Sequence, residues 1–184
     1  MKFSPTAIPD VILIEPVVHE DERGFFMETY HCDKFANGGL NHSFVQDNHA
    51  KSVQHTLRGL HFQQQFPQGK LIRCLLGGIF DVAVDLRPDS KTYGQWMGAE
   101  LNDVNKHQLF IPEGFAHGYY VMTETAHITY KCTEVYRPEN EAGILWNDPD
   151  IGIVWPGNSP ILSRKDQNLP TLSEFAKDSS LSIL

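Results

Sequence analysis

The sequence predicts an all-β domain closed as a sandwich, barrel or jelly roll, and three observations lead there. Short runs rich in β-branched and aromatic residues recur along the 184-residue chain. Turn residues such as Pro88-Asp89, Asn102-Asp103 and Pro138-Glu139 separate them at regular intervals. The βα rhythm of a parallel sheet is missing. Strands are expected at Val11–Val18, Gly24–Tyr30, Ser43–Asn48, Thr56–Gln63, Leu71–Leu76 and Ile79–Leu86. They continue at Gln95–Leu101, Gln108–Ile111, Gly118–Met122, His127–Val135 and Gly143–Trp146. Gly77-Gly78 stands between two strong strand patterns and predicts a hairpin, because paired glycines supply positive φ at no steric cost. Helical signals are few. Asp33-Lys34-Phe35-Ala36 before Gly38-Gly39 predicts a turn or two with a glycine stop. Thr171-Leu172-Ser173-Glu174 has the spacing of a capping box and opens a short helix through Lys177.

Composition narrows the function classes. Hydrophobic residues are 41% with 14 glycines, which excludes disorder, collagen and coiled coil. Fifteen Lys and Arg against 23 Asp and Glu leave a formal charge of −8, so a nucleic-acid backbone is repelled and no nucleic-acid partner is expected. A small anion remains a suitable ligand if the few cations converge on one site. Cys32, Cys74 and Cys132 lie far apart, which argues against a disulfide framework or a structural zinc site. Glu15 and Pro16 interrupt Val11-Ile12-Leu13-Ile14, so no signal core forms, and no run reaches the ~20 apolar residues of a membrane helix. The expectation is one cytoplasmic domain over residues 1–184, with a tail from about 173 and no membrane partner.

Dinucleotide, phosphate-loop, serine-hydrolase and zinc-protease motifs are absent. Four stretches could carry chemistry. In Leu57-Arg58-Gly59-Leu60-His61-Phe62-Gln63, alternation places His61 with Gly59 and Gln63, and Leu60 and Phe62 opposite. His61 then either lines a polar cavity or faces solvent on an open sheet. Arg58 falls on the Leu60 face, so a bulge near Gly59 is required if Arg58 and His61 line one site. Pro112-Glu113-Gly114-Phe115-Ala116-His117 has the shape of the second metal-binding stretch of cupin jelly rolls. Its usual companion, His-x-His, reads His61-Phe62-Gln63 here, and no carboxylate follows four or five residues on. The ligand set is incomplete and no metal is expected. In Ala126–Thr133, Tyr130 shares the less polar face with Ile128 and Cys132, as a core phenol or as an acid. Leu162-Ser163-Arg164-Lys165-Asp166 taken alone reads as a solvated charged loop.

Together with Asp21-Glu22-Arg23-Gly24-Phe25-Phe26, Val45-Gln46-Asp47-Asn48, Gly69-Lys70-Leu71-Ile72-Arg73 and Ile144-Leu145-Trp146-Asn147-Asp148-Pro149, these stretches resemble the dTDP-4-dehydrorhamnose 3,5-epimerase family from Ile8 to Leu172. The resemblance implies a cupin-type jelly roll that uses no cofactor or metal, and a homodimer. It implies 3,5-epimerisation of a dTDP-4-keto-6-deoxy sugar by α-deprotonation and reprotonation, supplying dTDP-L-rhamnose for surface polysaccharide. It implies His61 as base, Asp166 as the carboxylate orienting it, Tyr130 as acid and Lys70 as the cation near the C4 oxygen. It further implies substrate contacts from Arg23, Glu28, Gln46, Asp47, Asn48, Arg58, His117, Glu141 and Lys165, with Tyr136 stacking on thymine. Arg23 and Glu28 are expected to serve the partner's site. An enzyme inverting only C3 or C5, or a sugar-binding cupin without turnover, shares most of these features. The divergent loop Gln64–Gln68 leaves the placement of Lys70 open.

Overall fold

A computed structural model of the protein describes residues 1–177. The first half supplies strands β1 (Lys2–Pro5), β2 (Ile12–Glu15), β3 (Val18–Asp21), β4 (Gly24–Met27), β5 (Gln46–Val53), β6 (Leu57–Gln63) and β7 (Lys70–Leu76). The second supplies β8 (Gly78–Asp85), β9 (Trp96–Asn102), β10 (Gln108–Ile111), β11 (Phe115–Val121), β12 (Thr125–Cys132) and β13 (Glu141–Gly143). Helix α1 spans Cys32–Asn37 and α2 spans Leu172–Lys177. Six strands form one sheet in the order β1-β2-β10-β7-β12-β5, and five form a second in the order β13-β6-β11-β8-β9. β3 and β4 pair by themselves. The all-β jelly roll is therefore the fold, with two short helices.

The inner faces of the two sheets meet in a core built from Ile72, Leu109 and Ile128 on one side and Ile79, Ala83 and Val121 on the other. The five-stranded sheet is covered on its outer face too. Leu57, Leu60, Phe62, Val82 and Val84 pack there against Ile144, Trp155 and Phe175 of the C-terminal segment. That double burial explains why β11 reads as an unbroken buried strand. The six-stranded sheet carries α1 on its outer face through Phe35, which packs with Ile14, Leu71 and Phe110. The capping box forms as expected: Thr171 N–H donates to Glu174 Oε2 at 2.8 Å, and Glu174 N–H to Thr171 Oγ1 at 3.2 Å.

The Gly77-Gly78 hairpin does not form. β7 pairs with β10 and β12, whereas β8 pairs with β11 and β9, so the two glycines carry the chain from one sheet to the other. The glycines are needed for closeness. Gly77 has φ of +74°, and a Cβ there would collide with the Thr125 carbonyl oxygen. The expected strand Val11–Val18 breaks into β2 and β3 at Pro16-Val17, because proline cannot donate to a ladder.

The bulge at Gly59 is present. His117 on β11 faces His61, and Tyr119 faces Arg58, so three steps on β6 match two on β11. Gly59 has φ of +127°, and a Cβ would meet Gly118 Cα at 2.5 Å. We expect Gly59→Ala to cost about 2–5 kcal/mol through backbone strain and the clash with Gly118, measured by urea unfolding. A loss below ~1 kcal/mol would mean that the backbone adapts freely at this point.

Candidate active site

Residues on the inner faces turn polar at one end of the barrel, where the sheets enclose a cavity of about 730 Å³. Alternation decides who reaches it. From the six-stranded sheet come Gln46 and Asn48 on β5, Lys70 at the start of β7, and Tyr130 and Cys132 on β12. From the five-stranded sheet come Arg58, His61 and Gln63 on β6, His117 and Tyr119 on β11, and Glu141 on β13. The loop before α2 closes the side with Ser163, Lys165 and Asp166. His61 and Tyr130 thus project into one space from opposite sheets.

Several of these polar side chains are held by hydrogen bonds. His61 donates from Nε2 to Asp166 Oδ1 at 2.7 Å, which leaves Nδ1 as the ring nitrogen free to take a proton. Asp166 is only 3% exposed, so the sequence reading of a solvated loop is corrected at this residue. Its own N–H donates to Ser163 Oγ at 3.0 Å. Burial pushes its carboxyl up, but hydrogen bonds from His61, Ser163 and the Gly59 N–H outweigh this and hold it below its ordinary value. Lys70 Nζ lies 3.5 Å from the His61 carbonyl oxygen, and burial pushes its ammonium down despite the opposing pull of Cys132, Asp81 and Glu141. Burial likewise raises the Tyr130 phenol, so it stays protonated across the neutral range.

Arg58 Nε donates to Ser52 Oγ at 3.1 Å, and Tyr119 OH lies 3.2 Å from the same oxygen. At the mouth, Tyr136 OH donates to Glu141 Oε2 at 2.7 Å and Lys165 pairs with the same carboxylate. Burial acts to raise Glu141, yet these two partners bring it below its ordinary value. The Tyr136 N–H donates to Gln46 Oε1 at 2.7 Å, joining the mouth to β5.

Three expected site residues lie outside this cavity of the single chain. Asp47 points to the opposite face of β5 and pairs with Lys131 at 2.9 Å. Arg23, in the β3–β4 turn, pairs with Asp21 at 2.5 Å, and Glu28, just beyond β4, with Lys34 at 2.8 Å. Sequence reasoning missed Asp81, Tyr119 and Cys132. Asp81 left a signal: a carboxylate inside the apolar run Gly78–Val84 has no place in a core unless something pairs with it. Among the described residues, the His, Cys and Asp atoms that converge as a candidate metal-ligand set are those of His31, Cys32 and Asp33, away from the cavity.

The family description dTDP-4-dehydrorhamnose 3,5-epimerase matches residues 5–174. The chain belongs to that family. A dTDP-4-dehydrorhamnose 3,5-epimerase of Salmonella typhimurium is 54% identical over 172 residues, 92% of this chain and 94% of that one. A Streptomyces niveus dTDP-4-dehydrorhamnose 3-epimerase is 38% identical over 98% of this chain and 88% of its own length. The crystal structure of dTDP-6-deoxy-D-glucose-3,5-epimerase from Legionella pneumophila, in complex with dTDP-4-keto-L-rhamnose, superposes with a TM-score of 0.94 at 44% identity. The match covers 98% of this chain and 96% of that one. The likeness to these epimerases therefore runs over nearly the whole chain.

Proposed function

We propose that the protein is a cofactor-independent epimerase that inverts C3 and C5 of dTDP-4-dehydro-6-deoxy-D-glucose to give dTDP-4-dehydro-L-rhamnose, a precursor of dTDP-L-rhamnose. The observation that carries this reading is the pair His61 and Tyr130, which enter one cavity from opposite sheets. Protons on C3 and C5 are acidified by the adjacent C4 ketone. His61 Nδ1 removes one from the first face of the ring, while Asp166 holds Nε2 and stabilises the imidazolium that results. The electron pair moves onto the C4 oxygen as an enolate, where the Lys70 ammonium opposes the developing charge. Tyr130 then gives a proton to the same carbon from the opposite face, and solvent exchange resets both groups.

Arg58 and Lys165 bind the diphosphate, where guanidinium and ammonium donors suit its oxygens, and the exposed Tyr136 ring at the mouth stacks on the thymine. Gln46, Asn48, His117 and Glu141 complete the contacts. NMR of dTDP-4-keto-6-deoxyglucose with the protein in D2O should show deuterium at C3 and C5 and the L-lyxo product. Absence of exchange at either centre overturns the reading. The 3-epimerase among the relatives favours a second reading, inversion at C3 alone, and a product inverted at one centre would establish it.

A homodimer completes the site in this proposal. The β3–β4 hairpin exposes Phe25 and Phe26, 55% and 72% accessible, beside Arg23 and close to Glu28. Such a projecting apolar arm suits insertion into a second copy, bringing Arg23 and Glu28 to the partner's ligand. Mixing inactive His61→Ala and Arg23→Ala proteins after dissociation should then restore about a quarter of the wild-type rate, because each mixed dimer holds one intact site. Mixtures without regained activity would place Arg23 in its own chain's site. The proposed location is the cytoplasm, and no helix among the described residues is long and apolar enough to cross a membrane.

A further inference from the structure

The cavity holds a second imidazole on a buried carboxyl group, and the reaction as proposed above gives that carboxyl group no role. His117 stands directly across from His61 on the neighbouring strand. It too donates from Nε2 at 2.7 Å, here to Oδ1 of Asp81 on β8. The pairing repeats the His61–Asp166 arrangement, yet its setting is drier. Asp81 is 0% exposed and sits in an inward row between Ile79 and Ala83, with Oδ2 buried and without a hydrogen-bond partner. A carboxyl group in such a row costs stability that an apolar pair of the same volume would not. Its effect must therefore be sought in what it does to His117.

That effect is geometric. With Nε2–H committed to Asp81, the His117 ring turns Nδ1 outward as a lone pair. This nitrogen has no hydrogen-bond partner among the described residues, and the ring borders the cavity. Burial pushes the imidazole below its ordinary value although Asp81 pulls the other way, and the Lys70 and His61 charges add to the lowering, so the ring is neutral and accepts. Its neighbours in the cavity, His61 and Lys70, are those assigned to the reacting carbon and the C4 oxygen. Of the two carbons beside that ketone, C5 carries a methyl group and the ring oxygen, neither of which donates. C3 carries a hydroxyl, the one donor within reach of an acceptor placed there.

We propose that Asp81 is a positioning residue that fixes the Nε2–H tautomer of His117, so that Nδ1 accepts a hydrogen bond from the C3 hydroxyl and orients C3–H toward His61. The inference rests on the epimerase reading, and it makes inversion at C3 depend on Asp81 more than inversion at C5.

Two measurements test it. Long-range 1H–15N NMR of the wild-type protein at neutral pH should show His117 neutral with its proton on Nε2; a proton on Nδ1 overturns the proposal whatever the activity. Asp81→Asn keeps the shape of the side chain. No acceptor stands at the Oδ2 position to receive an amide, so the new amide should donate to Nε2 and drive the ring proton to Nδ1. Deuterium uptake at C3 should then fall about tenfold relative to uptake at C5. Equal losses at both carbons, or an unchanged ratio with the tautomer inverted, would mean a purely structural pair. A wild-type protein with the expected tautomer but no exchange at all would instead defeat the epimerase reading and, with it, the assignment of the hydroxyl.

Discussion

Replacing His61 with alanine should abolish deuterium uptake from D2O at both C3 and C5 of the 4-keto sugar, a loss of about 10²–10⁴-fold or more. Both centres fail together because one imidazole serves both carbons: they flank the same ketone, and in the cavity the only ring nitrogen backed by Asp166 is that of His61. The variant should fold normally. His61 points into the cavity, whereas its strand neighbours Leu60 and Phe62 carry the packing against Ile144 and Phe175. Binding of dTDP should also persist, since the groups proposed to hold the nucleotide lie elsewhere. Uptake retained at one carbon would assign that centre to another base. Asp166→Asn should also lower the rate, because the neutral amide no longer stabilises the imidazolium by charge.

Tyr130→Phe should separate exchange from inversion. The proton still leaves to His61 and can return to the same face from it, so deuterium enters the substrate while the epimerised product falls by about 10²–10⁴-fold. The change removes one oxygen from a ring packed beside Ile128, so the fold is expected to stand. Burial raises this phenol above its ordinary value of 10.0, so ionisation of Tyr130 should not limit inversion at neutral pH. Quantifying inverted product against exchanged substrate in one NMR time course checks both statements. Normal epimerisation by the variant would move the acid role to another group.

The two residues were unequally legible. His61 announced itself by strand alternation, since a polar face of Gly59, His61 and Gln63 opposed Leu60 and Phe62, and the structure keeps that division. Tyr130 shared its face with Ile128 and Cys132, which fits a core phenol as well as a cavity-lining one. Only the approach of β6 and β11 across the barrel distinguishes the two. Asp166 was the least legible, because a carboxylate between Lys165 and Gln167 looks solvated in one dimension, yet it is buried against a strand 105 residues away. Arg58 could be assigned to the site only through a condition, the bulge at Gly59, and that condition is met.

By itself the sequence determined most of the elements: strand periodicity, the capping box before α2 and the family motifs all act over a few residues, where local sterics and alternation decide. Tertiary structure decided the closures. Gly77-Gly78 looks the same whether it turns a hairpin or passes between sheets, and the choice fell to which strands bury which faces. The pairing of Asp81 with His117 likewise exists only because β8 and β11 lie side by side. Contacts between distant segments depend on how whole faces exclude water together, which no short window of residues encodes.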